Sequence, residues 1–330
     1  MISSGEFERI RAMVEAVPPA PGAGRILVGP GDDACVLEPG LGESLVLSTD
    51  LSVEGIHFKR EWLTWEAIGY RAAAVALSDM AAMAARPVGV LVSLAVPPEL
   101  DLSIYEQFAS GVADCLRNVE GSLLGGDTSS SPSAVFIDVT AVGSVGTPIT
   151  RAGARPGDEV WVTGRLGAAA AAVLALKTGL EPDPSDRLAY ERPVPRWREA
   201  RWLAEFAGVT SAIDMSDGLV GDAAHISRAS SCQLVLEVDQ VPMTSSLEGW
   251  ADRSVAMAIA TGGGDDYELL FTVSPAVLEK RVPEFRERFE LDLTRIGIVS
   301  EGSGVCWVGE GGGPVDPPAH AGYDHFTDQE

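Results

Sequence analysis

Apolar residues recur at helical spacing through 5–17, where Phe7, Ile10, Met13, Val14 and Val17 predict a helix closed by Pro18-Pro19-Ala20-Pro21-Gly22. Leu45-Val46-Leu47 reads as a short strand that halts at Ser48-Thr49-Asp50 and delivers polar groups at its end. Residues 65–85 are alanine-rich and long enough for a helix, with Leu77-Ser78-Asp79-Met80 embedded in it. Val88 to Val96 predicts a strand and Ile104 to Val119 an amphipathic helix. Ser122-Leu123-Leu124 then runs into Gly125-Gly126-Asp127-Thr128. Alternation of Val135, Ile137, Val139 and Ala141 predicts a long strand over 134–145.

Thr147-Pro148 and then Ala154-Arg155-Pro156-Gly157-Asp158 mark a change of unit, so an N-terminal domain 1–148 and a C-terminal domain 149–330 are expected. In the second half Val160-Trp161-Val162 predicts a strand and Gly167 to Leu176 a helix. The proline-rich stretch 181–196 reads as a loop. Ala212-Ile213 leads into Asp214-Met215-Ser216-Asp217-Gly218 and a helix ending near Ser230. Strands are expected at Leu234–Val238, Leu269–Val273 and Thr294–Val299, with helices near 251–261 and 275–290. Residues 301–318 are rich in glycine and proline. Strands alternating with helices in both halves indicate an α/β or α+β fold, sheets covered by helices.

Charge narrows the function. The chain has 48 Asp and Glu against 24 Lys and Arg, a net of −24, and its only lysines are Lys59, Lys177 and Lys280. Such a surface repels nucleic-acid phosphates and anionic lipid, so neither is an expected partner. No apolar run reaches the roughly 18 residues of a membrane span. The N-terminus lacks the pattern of a signal peptide, and a cytoplasmic protein is expected. Cys35, Cys115, Cys232 and Cys306 have no C-x-x-C spacing, which argues against zinc or disulfide exchange.

Six short motifs share one chemistry: Gly31-Asp32-Asp33, Ser48-Thr49-Asp50, Leu77-Ser78-Asp79, Gly125-Gly126-Asp127, Asp214-Met215-Ser216-Asp217-Gly218 and Gly262-Gly263-Gly264-Asp265-Asp266. Aspartate is the shortest carboxylate, and glycine lets a ligand approach the backbone. Hydroxyls such as those of Ser48 and Thr49 add neutral oxygen donors, the set that Mg²⁺ prefers. Each motif taken singly is also ordinary turn and helix-cap chemistry. No Lys-based triphosphate loop, G-x-S-x-G elbow or H-E-x-x-H pair is present. Gly164-Arg165-Leu166-Gly167 reads equally as a phosphate cradle and as a plain βα turn.

In this order the motifs resemble the thiamine-monophosphate kinase family, whose superfamily includes aminoimidazole-ribonucleotide synthetase. The resemblance runs from Gly5-Glu6-Phe7 to Gly322-Tyr323-Asp324-His325-Phe326, with Glu54-Gly55-Ile56-His57-Phe58, Thr150-Arg151-Ala152-Gly153 and Asp266-Tyr267-Glu268-Leu269 among its more specific pieces. It implies a two-domain synthetase-like fold whose N-terminal domain forms a homodimer and whose C-terminal domain covers the active site. It implies several Mg²⁺ ions on Asp33, Ser48, Thr49, Asp50, Asp79, Asp127, Asp214 and Asp217. ATP contacts would fall on Tyr105, Gly126, Asp127, Arg151 and Ser216, and thiamine-monophosphate contacts on His57, Asp265 and Tyr323. The family commonly carries Glu where this chain has Asp265, and Asn and Gly where it has Ala76 and Ala84.

The implied reaction makes thiamine diphosphate and ADP by direct in-line transfer. Its nucleophile is a phosphate oxygen, already largely deprotonated at pH 7 because a phosphomonoester's second pKa is about 6. No catalytic base is therefore expected, only positioning and charge neutralisation. The alternatives are another ATP-dependent enzyme of the superfamily with a different acceptor, or a non-catalytic acidic protein that binds divalent metal.

Overall fold

The structure, a computed structural model, describes residues 12–17, 26–28, 36–206 and 208–318. It is a mixed α/β protein that divides into two compact units between Thr147 and Pro148, with Ala81–Ala84 grouped with the second. Residues 12–16 are helical, while the start of that expected helix lies outside the described residues.

The first unit holds a hairpin-like pair, β1 (Ile26–Val28) and β2 (Val36–Leu37), and a sheet of β3 (Ser44–Val53), β4 (Arg86–Val96), β5 (Ser122–Ser130) and β6 (Phe136–Val145). The sheet order is β3-β6-β4-β5, antiparallel except for the β4–β5 pair. Val90, Val92, Leu94, Ile137, Val139 and Ala141 alternate onto a buried face, as the period of two requires. Two helices accompany it, α1 (Trp65–Ala82) and α2 (Leu102–Val119). Asp101 starts α2 by accepting the Ser103 N–H at 2.9 Å. The helices cross with their backbones nearly touching. A Cβ on Gly111 would lie 1.9 Å from the Glu66 carbonyl oxygen, so only glycine fits there.

Two expectations about this unit change. Ser48-Thr49-Asp50 does not end a strand: β3 runs on to Val53, with Ser48 opposite Ala141, Thr49 opposite Thr140 and Asp50 opposite Val139. Gly125-Gly126-Asp127-Thr128 likewise lies inside β5 rather than in a turn. In both places the backbone ladder continues past the last apolar residue.

The second unit is built on a seven-stranded sheet, β7 (Glu159–Thr163), β8 (Val209–Asp214), β9 (Gln233–Glu237), β10 (Leu269–Val273), β11 (Leu293–Ser300), β12 (Gly304–Val308) and β13 (Pro314–Val315), in the order β13-β12-β9-β11-β7-β10-β8. Its helices are α3 (Ala168–Lys177), α4 (Pro184–Glu191), α5 (Trp197–Phe206), α6 (Leu219–Ser230), α7 (Ser245–Glu248), α8 (Arg253–Gly262) and α9 (Val282–Phe289). Val160, Val162, Ile213, Leu234, Leu270 and Ile296 of the sheet share one core with Leu219, Ala223 and Ile226 of α6 and Ala256, Met257 and Ala260 of α8.

The proline-rich stretch is not all loop. Asp183 accepts the Ser185 N–H at 2.9 Å and Pro184 occupies the first turn, so α4 begins where proline is tolerated. Residues 301–318 also contain β12 and β13. Among the described residues no helix is long and apolar enough to cross a membrane, and Cys115, Cys232 and Cys306 are free thiols.

Candidate functional site

In the first unit the candidate residues gather along β3, β5 and the turn after β3. The Ser48 hydroxyl donates to the Asp79 carboxylate, which ties β3 to α1. Thr49, next in the strand, points to the other side of the sheet and donates to Asp138 Oδ1 of β6 at 2.8 Å. Asp50 shares the side of Ser48 by the same alternation, and Asp127 is exposed on β5. Along one row of the sheet Asp138 faces Ser93, and Ser93 faces Asp127. Asp138 was not among the expected residues; its one signal was a carboxylate at an outward position between Ile137 and Val139 of an alternating strand.

Gly126 has a structural reason for its identity, since a Cβ there would stand 1.9 Å from the Val92 carbonyl oxygen. Tyr105 is a core side chain, 1% exposed, with its hydroxyl 3.4 Å from Thr128 Oγ1. The Val53 N–H donates to His57 Nδ1 at 3.0 Å. The neutral ring therefore carries its proton on Nε2, a donor suited to a phosphate oxygen. Glu54 is a clamp for that turn: it accepts the Val135 N–H at 2.9 Å and pairs with Arg60.

In the second unit two motifs 48 residues apart interlock. β8 and β10 are antiparallel neighbours, with Asp214 opposite Leu269. Beyond them the pairing continues irregularly: Met215 N–H to Glu268 O at 2.8 Å, Tyr267 N–H to Met215 O at 2.8 Å, Asp265 N–H to Ser216 O at 2.9 Å. Gly264 is demanded by the approach, since its Cβ would lie 2.3 Å from the Ser216 carbonyl oxygen. Asp214, Ser216, Asp217 and Asp265 are thereby brought to one end of the sheet.

Buried acids lie beneath them. Asp222 of α6 is 1% exposed and accepts the Asp217 N–H at 3.2 Å. Burial first, and then the charges of Asp217 and Asp214, push its carboxyl up to about 8, against the Asp217 N–H and Arg151. Asp266 is also raised well above the usual range by burial, against the Gly167 N–H that its Oδ1 accepts at 2.8 Å. The Asp266 Oδ2 is buried with no hydrogen-bond partner. Arg151 is exposed, its carbonyl accepts from Ser230 Oγ at 3.0 Å, and its charge is felt by Asp222 and by His225. Burial, then Arg151 and Arg228, lower the pKa of His225. Asp222, His225 and Tyr267 were missed because they sit inside helical or strand-flanking patterns that read as packing.

The turn Gly164-Arg165-Leu166-Gly167 is not an open cradle. Its Gly164, Leu166 and Gly167 N–H groups donate to Asp292 O, Pro242 O and Asp266 Oδ1. Asp33 and Tyr323 lie outside the described residues.

Every donor in both sets is a carboxylate or hydroxyl oxygen, which fits a hard cation and no soft one. Among the described residues no three His, Cys, Asp or Glu side chains are grouped to cage an ion by themselves.

Residues 31–145 match AIR synthase related protein, N-terminal domain, and residues 155–308 match AIR synthase related protein, C-terminal domain. Matches over both halves define the chain as an AIR synthase-related protein. The thiamine-monophosphate kinase of Escherichia coli K12 is 33% identical over 306 residues, 91% of this chain and 92% of that protein. The crystal structure of thiamine-monophosphate kinase from Stenotrophomonas maltophilia K279a is 35% identical with a TM-score of 0.80, covering 91% of this chain and 95% of that one. A structure of AaThiL complexed with AMPPCP and TMP is 32% identical with a TM-score of 0.74, covering 89% and 91%. The chain belongs to the thiamine-monophosphate kinase family.

Proposed function

We propose that the protein transfers the terminal phosphoryl group of ATP to thiamine monophosphate, yielding thiamine diphosphate and ADP. The observation that carries this reading is the similarity along 91% of the chain to a thiamine-monophosphate kinase. A related protein complexed with AMPPCP, an ATP analogue, and TMP supports the same pair of substrates. A terminal oxygen of the acceptor phosphate attacks the γ-phosphorus as the bond to the β–γ bridging oxygen breaks, and ADP leaves with that electron pair. No proton need be removed by the protein.

The work left to the chain is to bring two anions into line. Arg151 offers a fixed positive charge, and Gly126 and Ser216 offer close backbone and hydroxyl contacts to the nucleotide, with Tyr105 supporting β5 from the core. His57 offers its Nε2 proton to the acceptor phosphate, while Asp265 and Tyr323 contact the thiamine moiety. Magnesium would be held in the first unit by Asp33, by Ser48, Asp50 and Asp79 on one side of the sheet and by Thr49 and Asp127 on the other, and in the second unit by Asp214 and Asp217. When bound it supplies the positive charge that three lysines cannot.

A homodimer formed by the first unit is part of this reading. β3 presents Leu45, Leu47 and Leu51 to solvent, and Phe136 of β6 joins them; Leu47 is 65% and Leu51 55% exposed. This row of exposed apolar side chains supports an interface there, and a second copy presenting the same row is its natural complement. A cytoplasmic location accords with free cysteines and with the expected substrates. The reading is tested by assaying ADP and thiamine diphosphate together, with thiamine monophosphate present and omitted.

A further inference from the structure

Asp265 stands at φ 72°. That left-handed region suits Asp better than most side chains. Tyr267, two residues on, is left-handed as well, at φ 50°. Strained positions of this kind persist only where the surroundings fix them. Here they are fixed: the Asp265 and Tyr267 N–H groups donate to Ser216 O and Met215 O, and the Tyr267 ring is buried, 5% exposed. From that anchored ring the hydroxyl donates to Asp265 Oδ1 at 2.9 Å.

We propose that Tyr267 is a positioning residue for the acceptor, its hydroxyl holding the Asp265 carboxylate in the one orientation in which it reads thiamine monophosphate. The inference rests on the proposed function and deepens it. A carboxylate with two side-chain torsions, tied at one oxygen, loses little further freedom when the acceptor arrives. Asp265 is the residue this reading assigns to the acceptor, so the acceptor constants are the ones expected to respond.

The test compares wild type with Tyr267→Phe, Asp265→Asn and the double variant. Each is measured for KM of thiamine monophosphate, KM of ATP, Tm, and direct calorimetric binding of thiamine monophosphate and of AMPPCP. Loss of a hydrogen bond to a charged group predicts that Tyr267→Phe raises the thiamine-monophosphate KM and Kd about tenfold. The ATP KM and AMPPCP Kd should stay within about twofold, and the double variant should be no worse than Asp265→Asn alone. Unchanged acceptor affinity in Tyr267→Phe overturns the proposal, as do acceptor and nucleotide constants rising together with a falling Tm, which mark a structural role. Wild type that forms ADP without thiamine diphosphate overturns the functional reading itself.

Discussion

Arg196 and Glu268 meet at two points, Nε to Oε2 at 2.9 Å and Nη2 to Oε1 at 2.5 Å, across 72 residues of sequence. The Thr163 hydroxyl donates to the same carboxylate, and the Leu269 N–H donates to that hydroxyl at 2.8 Å. Glu268, the residue just before β10, is thus a buried brace beneath the loop that carries Asp265. Glu268→Gln keeps the shape and removes the charge. Breaking a buried pair in this way is expected to cost about 3 kcal/mol. The Glu199 carboxylate, 3.7 Å from Arg196, keeps the loss at the low end. Urea denaturation checks it, and an unchanged midpoint would remove the brace from the account.

Asp222 gives the stability a pH dependence. Its folded pKa of about 8 lies well above the ordinary aspartate value of 3.8, so the native state keeps a proton that the unfolded chain releases. The stability of the neutral carboxyl is complete below about pH 4 and lost as pH rises toward about 8. Asp222→Asn retains an oxygen to accept the Asp217 N–H and cannot ionise. In chelator, its Tm should exceed that of wild type by several degrees at pH 8 and by less at pH 5. Parallel Tm profiles would contradict the assignment.

Asp50 and Asp217 are each expected to be indispensable for turnover and dispensable for folding. Asp50→Asn and Asp217→Asn should lower kcat at least about 100-fold, with Tm within a few degrees of wild type. Wild-type activity should vanish when Mg²⁺ is removed and return on its addition. Full activity in either variant at low Mg²⁺ would strike that residue from the metal set.

Leu47 tests the dimer. Its side chain lies on the exposed β3 face, so in sedimentation velocity wild type should sediment as a dimer and Leu47→Asp as a monomer. A wild-type monomer at micromolar concentration would contradict the proposed interface.

Much of the fold was legible because burial imposes a period. The alternation of Ile137, Val139 and Ala141 marked β6, and all three are buried. The limits of β3 and β5 were not legible, because backbone pairing at Thr49 and Asp127 needs no apolar side chain. Helix α4 was hidden for the opposite reason: prolines read as breakers, although Pro184 follows an aspartate cap where proline is accepted. At the site, the motifs named the aspartates but not what holds them. Asp138 against Thr49, Asp222 against Asp217 and Tyr267 against Asp265 are relations of the folded chain.

The central claim is tested most directly by following ADP and thiamine diphosphate in one reaction of wild-type protein with ATP, Mg²⁺ and thiamine monophosphate. The account predicts one thiamine diphosphate for each ADP, and essentially no ADP when thiamine monophosphate is left out. ADP released at the same rate without the acceptor, or no thiamine diphosphate with it, would contradict the account.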